Sequence, residues 1–221
     1  MNTKINLKKV SVIAMLCAVA YICMFVFKFK VSFLTFDFKD AVLSVIAFLY
    51  GPIYGVVSAL IVAFFEFISV SDTGVYGLIM NALSSGVFAA VCGTVYKYRR
   101  TISGAVIGAI VAVFLMTATM LLANLYITPY YMGVDRSVVV QLIPSLILPF
   151  NLCKGVINAA ITMIIYKPIT TALKKSKLVM SGSKGYVNTK ATAILIGGSL
   201  LVVAVSVFVI LFVLNGQIQF M

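Results

Sequence analysis

Three polar side chains interrupt a long apolar run: Asn151, Lys154 and Asn158 lie within the hydrophobic stretch from Leu142 to Tyr166. At roughly 100° per helical residue they fall within about 60° of one another, so a helix would gather them into one stripe. An ionised lysine near the centre of a membrane helix costs about 3 kcal/mol by insertion scales, so such a residue faces a cavity or a partner. Two amides and an ammonium can donate to and accept from the polar edge of a small molecule. The chemistry on offer is recognition. The chain has no histidine, no GxSxG and no GxxxxGK[ST] phosphate loop, so catalysis and ATP hydrolysis by this chain alone are not expected. Cys17, Cys23, Cys92 and Cys153 all sit in apolar runs without CxxC spacing, which reads as buried thiols rather than a metal site or disulfide.

The elements that must position this stripe are membrane helices. Of 221 residues, 63% are hydrophobic and 10% charged, and the mean hydropathy is +1.17, against about 25% charged residues in an average soluble domain. The first apolar run follows Lys8-Lys9 and passes Phe25 with no small-residue cleavage pattern, which reads as a retained helix. The net charge of +12 reflects topology rather than nucleic-acid binding. Lys4, Lys8, Lys9, Lys97, Arg99, Arg100, Lys167, Lys174, Lys175, Lys177, Lys184 and Lys190 fall on one side of the expected spans, and Lys28, Lys30, Lys39 and Arg136 on the other. By the positive-inside rule the first group, with the amino terminus, is cytoplasmic.

In chain order, helix 1 is expected over 9–27, with the small residues Ser11, Ala14 and Ala18 on one face, suited either to internal packing or to docking on another subunit. An outer segment of alternating polar and apolar residues follows, ending in Asp37 and Asp40, which can cap a helix start or bind a polar group. A short apolar run, 41–50, stops at Gly51-Pro52. Helix 3 carries a Gly51, Gly55, Ala59, Ala63 seam and places Glu66 about 22 Å from its inner end. Helix 4, expected over 75–95, has Asn81 in its outer third. Helix 5, expected over 102–126, has Asn124 near its outer end. An outer loop spans 127–140 and contains Pro129 and Arg136. Helix 6 begins with Pro144 and Pro149, which free carbonyls in its first turns, and closes at Lys167-Pro168. A basic linker leads to an apolar stretch, 191–214, long enough for a seventh span. Seven crossings place the tail on the outer side.

Asp37, Asp40, Glu66, Asn81, Asn124, Asn151 and Lys154 thus share one depth, although they come from five helices. That describes a small-molecule pocket open to the outside, against a set of helix-pairing hydrogen bonds. A self-sufficient secondary transporter with Glu66 or an aspartate titrating against a proton is the alternative of another class, although no internal repeat is apparent.

The basic amino terminus, Ala14-Met15-Leu16-Cys17-Ala18, Leu34-Thr35-Phe36-Asp37-Phe38-Lys39-Asp40, Tyr50-Gly51-Pro52-Ile53-Tyr54-Gly55-Val56 and Pro149-Phe150-Asn151-Leu152-Cys153-Lys154-Gly155, in this order, resemble the substrate-binding S component of energy-coupling factor (ECF) vitamin transporters. The riboflavin type matches best. The resemblance covers about 8–177 and implies an all-α integral membrane protein, a six-helix bundle whose outward pocket is lidded by the first outer loop. The seventh helix departs from that pattern. Residues 1–177 would be the substrate-binding domain, 178–190 a linker, and 191–221 the added helix and tail.

The resemblance further implies riboflavin, or another vitamin or flavin, as transported ligand rather than cofactor. Its implied partners are a transmembrane coupling subunit and two ATPase subunits, with Ala14 and Ala18 as docking positions. Asn151 and Lys154 match the ligand-holding residues of the sixth helix, Asn124 is a match on the fifth, and Leu34, Thr35, Phe36 and Asp37 match the loop contacts. Glu66 and Asn81 join this candidate set by depth.

Overall fold

The computed structural model describes residues 7–26, 29–70, 73–176, 178, 189–209 and 217–218. Helices dominate: α1 (Leu7–Val26), α2 (Lys39–Tyr50), α3 (Pro52–Ser69), α4 (Gly74–Tyr98), α5 (Ile102–Met132), α6 (Arg136–Leu142), α7 (Leu148–Lys175) and α8 (Thr189–Phe208). α6 and α7 are joined by a π-helical turn, Ile143–Ile147, so 136–173 reads as one apolar span. Among the described residues, five spans are long and apolar enough to cross a membrane; α2, at 12 residues, reaches only about 18 Å. The protein is a multi-pass membrane bundle.

α2 is the axis of that bundle. Every residue from Lys39 to Phe48 is buried, and the helix packs against α1, α3, α4 and α7. Small residues allow this. A Cβ added at Gly55 would lie 2.7 Å from the Ala47 Cβ, and one at Gly93 would lie 2.8 Å from the same atom and 2.9 Å from the Pro52 Cα. The α2–α3 turn is made by Gly51, whose φ of 102° suits glycine, followed by Pro52 in the first helical turn, where its missing N–H costs nothing.

At the opposite end from that turn, β1 (Phe29–Val31) and β2 (Leu34–Phe36) form an antiparallel hairpin with Phe29 opposite Phe36. Ser32, at φ 55°, makes the tight turn with Phe33. A third strand, β3 (Gln217–Ile218), pairs with β1. The helical bundle therefore carries a small sheet that the all-helical expectation did not include. Pairing with β1 puts β3 at the hairpin end of the bundle.

Two boundaries differ from expectation. The loop expected over 127–140 is mostly helical, because α5 runs through Pro129 to a left-handed Gly133 cap whose N–H bonds to the Pro129 carbonyl; the glycine, not the proline, ends the helix. Likewise α7 continues through Pro168 to Lys175. The physical reason is burial: Leu173, with Ile165 and Ile169, packs into the core between α1 and α2, which outweighs one lost hydrogen bond. The helix therefore ends at Lys175 rather than at the expected Lys167-Pro168.

Gly93→Ala should lower the melting temperature in detergent, with a cost of about 1–3 kcal/mol for overpacking against backbone. Gly86→Ala, where an added Cβ meets nothing within 4 Å, should leave it unchanged or raise it.

Candidate functional site

The π turn and its prolines set the orientation of the α7 stripe. Pro144 lies inside the π turn, where Leu148 N–H reaches back five residues to the Ile143 carbonyl, and such single turns often mark functional positions. Just beyond it, Asn151 donates from Nδ2 to the Ile147 carbonyl at 2.8 Å. Its remaining N–H and its amide oxygen have no protein partner among the described residues. Asn124, on α5, donates to the Met120 carbonyl at 2.7 Å and accepts from Thr128 Oγ1 at 2.9 Å. Both amides are thus fixed by their own helices, with hydrogen-bonding capacity left over.

These residues meet in a cavity at the hairpin end with about 670 Å³ of empty space, part of it open to solvent. Its polar lining is Thr35, Thr73, Asn81, Ser84, Asn124, Thr128, Asn151 and Lys154. Ser84 Oγ is buried with no hydrogen-bond partner among the described residues, a donor and acceptor held ready inside the wall. The walls between these groups are apolar or aromatic: Phe33 and Leu34 from the hairpin, Met80 from α4, Met120 and Ile127 from α5, and Phe150 from α7. Tyr76 and Tyr131, with ring centroids 6.4 Å apart, line the same space. Apolar walls with a few convergent polar groups describe a small-molecule site.

Beneath the cavity runs a buried chain of charges. Asp37 Oδ2 accepts from Lys154 Nζ at 3.1 Å and from Lys39 Nζ at 3.0 Å, and Lys39 Nζ reaches Glu66 Oε2 at 2.8 Å. These side chains are 0–6% exposed, so each charge is neutralised only by its neighbours. Asp37 Oδ1 also accepts the Lys39 backbone N–H at 3.2 Å, from one residue before the α2 N-cap position, Phe38. Asn158 locks the arrangement. Its Nδ2 donates to the Asp37 and Lys154 carbonyls, and its Oδ1 accepts from Ala41 N–H at 3.1 Å. Asp40 is held separately by the Ser85 hydroxyl.

Of the residues singled out in the sequence, Leu34, Thr35, Asn81, Asn124, Asn151 and Lys154 line the cavity, whereas Phe36, Asp37 and Glu66 do not. Phe36 turns into the core beside Phe38 and Phe150, at centroid distances of 5.4 and 6.4 Å. Asp37 and Glu66 are consumed by the lysines. Lys39, read as an outer topogenic charge, is fully buried. Thr128, Tyr131 and Ile127 were missed because the fifth helix was ended at Tyr126; the i, i+4 spacing of Asn124 and Thr128 was the available signal. Tyr76, Met80 and Ser84 follow one face of α4 with Asn81. Ala14 and Ala18 sit on an exposed face of α1, and the four cysteines are free thiols.

A family model described as the substrate-specific component of ECF transporters matches residues 8–166. The chain belongs to this ECF transporter family. It is a transporter component, not an enzyme. Similar proteins include the riboflavin transporter RibU of Staphylococcus aureus (strain TCH60), 27% identical over 179 residues that cover 76% of this chain and 93% of the relative. The riboflavin transporter RibU of Streptococcus thermophilus (strain ATCC BAA-250 / LMG 18311) is 25% identical over 183 residues, covering 77% and 86%. A solved structure described as the S component of a bacterial ECF transporter superposes with a TM-score of 0.64 at 28% identity, covering 76% of this chain and 98% of that one. This S component's family match stops before α8 and β3 begin.

Lys39→Met should cost about 3–5 kcal/mol, since it strands Glu66 and half-strands Asp37 in a dry site. Adding Glu66→Gln should recover part of that loss, and thermal unfolding of the two variants in detergent measures the difference.

Proposed function

We propose that this S component binds riboflavin in the hairpin-end cavity and hands it to an ATP-driven ECF importer. The observation that carries the reading is the convergence of Asn124, Asn151 and Lys154 on one aromatic-walled cavity, in a chain whose similar relatives are riboflavin transporters. A flat ring system needs apolar walls, and its pyrimidine edge offers carbonyl acceptors and an N–H. Lys154 donates to a ring carbonyl; Asn151 and Asn124 use their spare N–H and oxygen on the same edge. Leu34, Thr35 and Asn81 complete the contacts. Asp37 supports this work from below. It neutralises Lys154, so the site offers an ammonium donor without excess charge, which suits an uncharged ligand.

The remaining parts follow from the bundle's two ends. The basic residues Lys8 and Lys9, Lys97, Arg99 and Arg100, and Lys167 and Lys175 gather at the end away from the hairpin, which supports a cytoplasmic amino terminus and an outward cavity. The exposed Ala14–Ala18 face of α1 is the docking position for a transmembrane coupling subunit that works with two ATPases. Residues 1–177 form the binding unit, with 178–190 as linker and 191–221 as an addition.

Titration of the purified protein with riboflavin, followed by flavin fluorescence, should show saturable quenching; no quenching at micromolar riboflavin would refute the ligand. Lys154→Ala should weaken binding about 10- to 150-fold, the worth of one charge-assisted hydrogen bond, while the fold persists because Asp37 keeps Lys39. Ala14→Leu should leave the titration unchanged and abolish riboflavin uptake and co-purification with the coupling subunit. Uptake by this chain alone in proton-driven vesicles would instead favour a secondary transporter.

A further inference from the structure

The segment that follows the family match pairs with the hairpin and packs on the core beneath it. α8 lies along α7, and its Val203 and Val207 pack against the cluster formed by Val31, Leu34 and Phe36 of the hairpin with Ile147 and Phe150. Beyond α8, β3 adds to the hairpin's edge in the order β2-β1-β3, with Phe29 opposite Ile218 and Lys30 opposite Gln217. One contact is made by side chains on the apolar cluster that the hairpin shares with α6, the π turn and α7, and the other by backbone at the hairpin's rim. The backbone pairing falls on the element that carries Phe33, Leu34 and Thr35 into the cavity wall.

A two-stranded hairpin is marginal alone, and a third strand or a packed helix is what gives it stability. The edge of β1 would otherwise present unpaired N–H and C=O groups, a template for another strand. Here the chain's own strand occupies it. Because the hairpin forms part of the cavity wall, any motion that opens the wall must either carry β3 along or break its pairing.

We propose that α8 and β3 form a strap that completes the lid sheet, so that ligand exchange requires β3 to release β1. This rests on the reading of the cavity as the ligand site. The strap contacts the lid rather than the ligand, so it sets the rates of binding and release more than the affinity. It also assigns a role to a helix and a strand that begin after the family match ends.

Two full-length variants test this. In the first, Lys30→Cys with Gln217→Cys joins β1 to β3. Antiparallel partners have Cα atoms about 4.5–5.5 Å apart, within the roughly 4.4–6.8 Å that a disulfide spans. In the second, Gln217→Pro with Ile218→Pro removes both N–H donors of β3. Riboflavin binding and release are followed by stopped-flow fluorescence, and hydrogen exchange of 29–31 is followed by mass spectrometry without ligand. The oxidised cysteine pair should bind and release riboflavin at least about five-fold more slowly than its reduced form, the factor worth one net hydrogen bond. The proline pair should exchange ligand and hairpin amides faster by a similar factor. Equal rates in the oxidised and reduced forms, or unchanged amide exchange in the proline pair, would overturn the strap. If the unmodified protein fails to quench riboflavin, the ligand reading falls and the amide exchange alone still decides the strap. Should the proline pair not fold, the cysteine pair, compared with and without reductant, decides it.

Discussion

Among the described residues, five acidic and basic side chains, Asp37, Lys39, Asp40, Glu66 and Lys154, are buried in an otherwise apolar bundle, and the structure is arranged so that neither lysine is left without a carboxylate. An isolated charge in such a medium is prohibitive, whereas a paired one is tolerable only with close geometry and satisfied remaining contacts. Asp37 meets that demand by accepting from two ammonium groups at once, and Glu66 balances the second lysine. The consequence is structural register. The exit of the hairpin, the start of α2, the last turns of α3 and the first turns of α7 must come to one point, and the cavity floor is built on that point.

The same constraint sets the groups that the proposed recognition site can offer. Lys154 shows one side to Asp37 and another to the cavity. It is a donor whose charge has already been neutralised. The amides of Asn124 and Asn151 are fixed by bonds to their own helices, so the cavity is preorganised before any ligand arrives, which reduces the ordering cost of binding. The hairpin hangs from this charge chain through Asp37, and its side chains close one wall. A change at the wall is therefore mechanically close to the lysine.

How much of this was legible in the sequence depended on the range of the interaction. The α7 stripe was readable because helical periodicity alone brings Asn151, Lys154 and Asn158 together. The short second helix and its Gly51-Pro52 stop were readable from local turn chemistry. Phe36 was misplaced because residues two apart on a strand share a face: it follows Leu34 toward the core, and only the pairing of β1 with β2 fixes how far. Asp37 looked like a cap; Phe38 takes the cap position, and Asp37 accepts the first helical N–H from one residue further out. That its other oxygen holds Lys154 from 117 residues away is a tertiary fact with no local trace. Pro129 and Pro168 both looked like stops, yet neither ended its helix, because a left-handed glycine decided one case and buried leucine packing the other. The pairing of β3 with β1 depends on where two distant segments end up, and no local pattern announces it.

The most direct measurement is the identity and amount of the small molecule bound to the protein after expression in riboflavin-supplemented cells, read by absorption and mass spectrometry of the denatured extract. Riboflavin close to one equivalent, and much less of it in Lys154→Ala, is the expected result. A protein free of flavin, or one carrying a different compound at that stoichiometry, would contradict the assignment of the cavity.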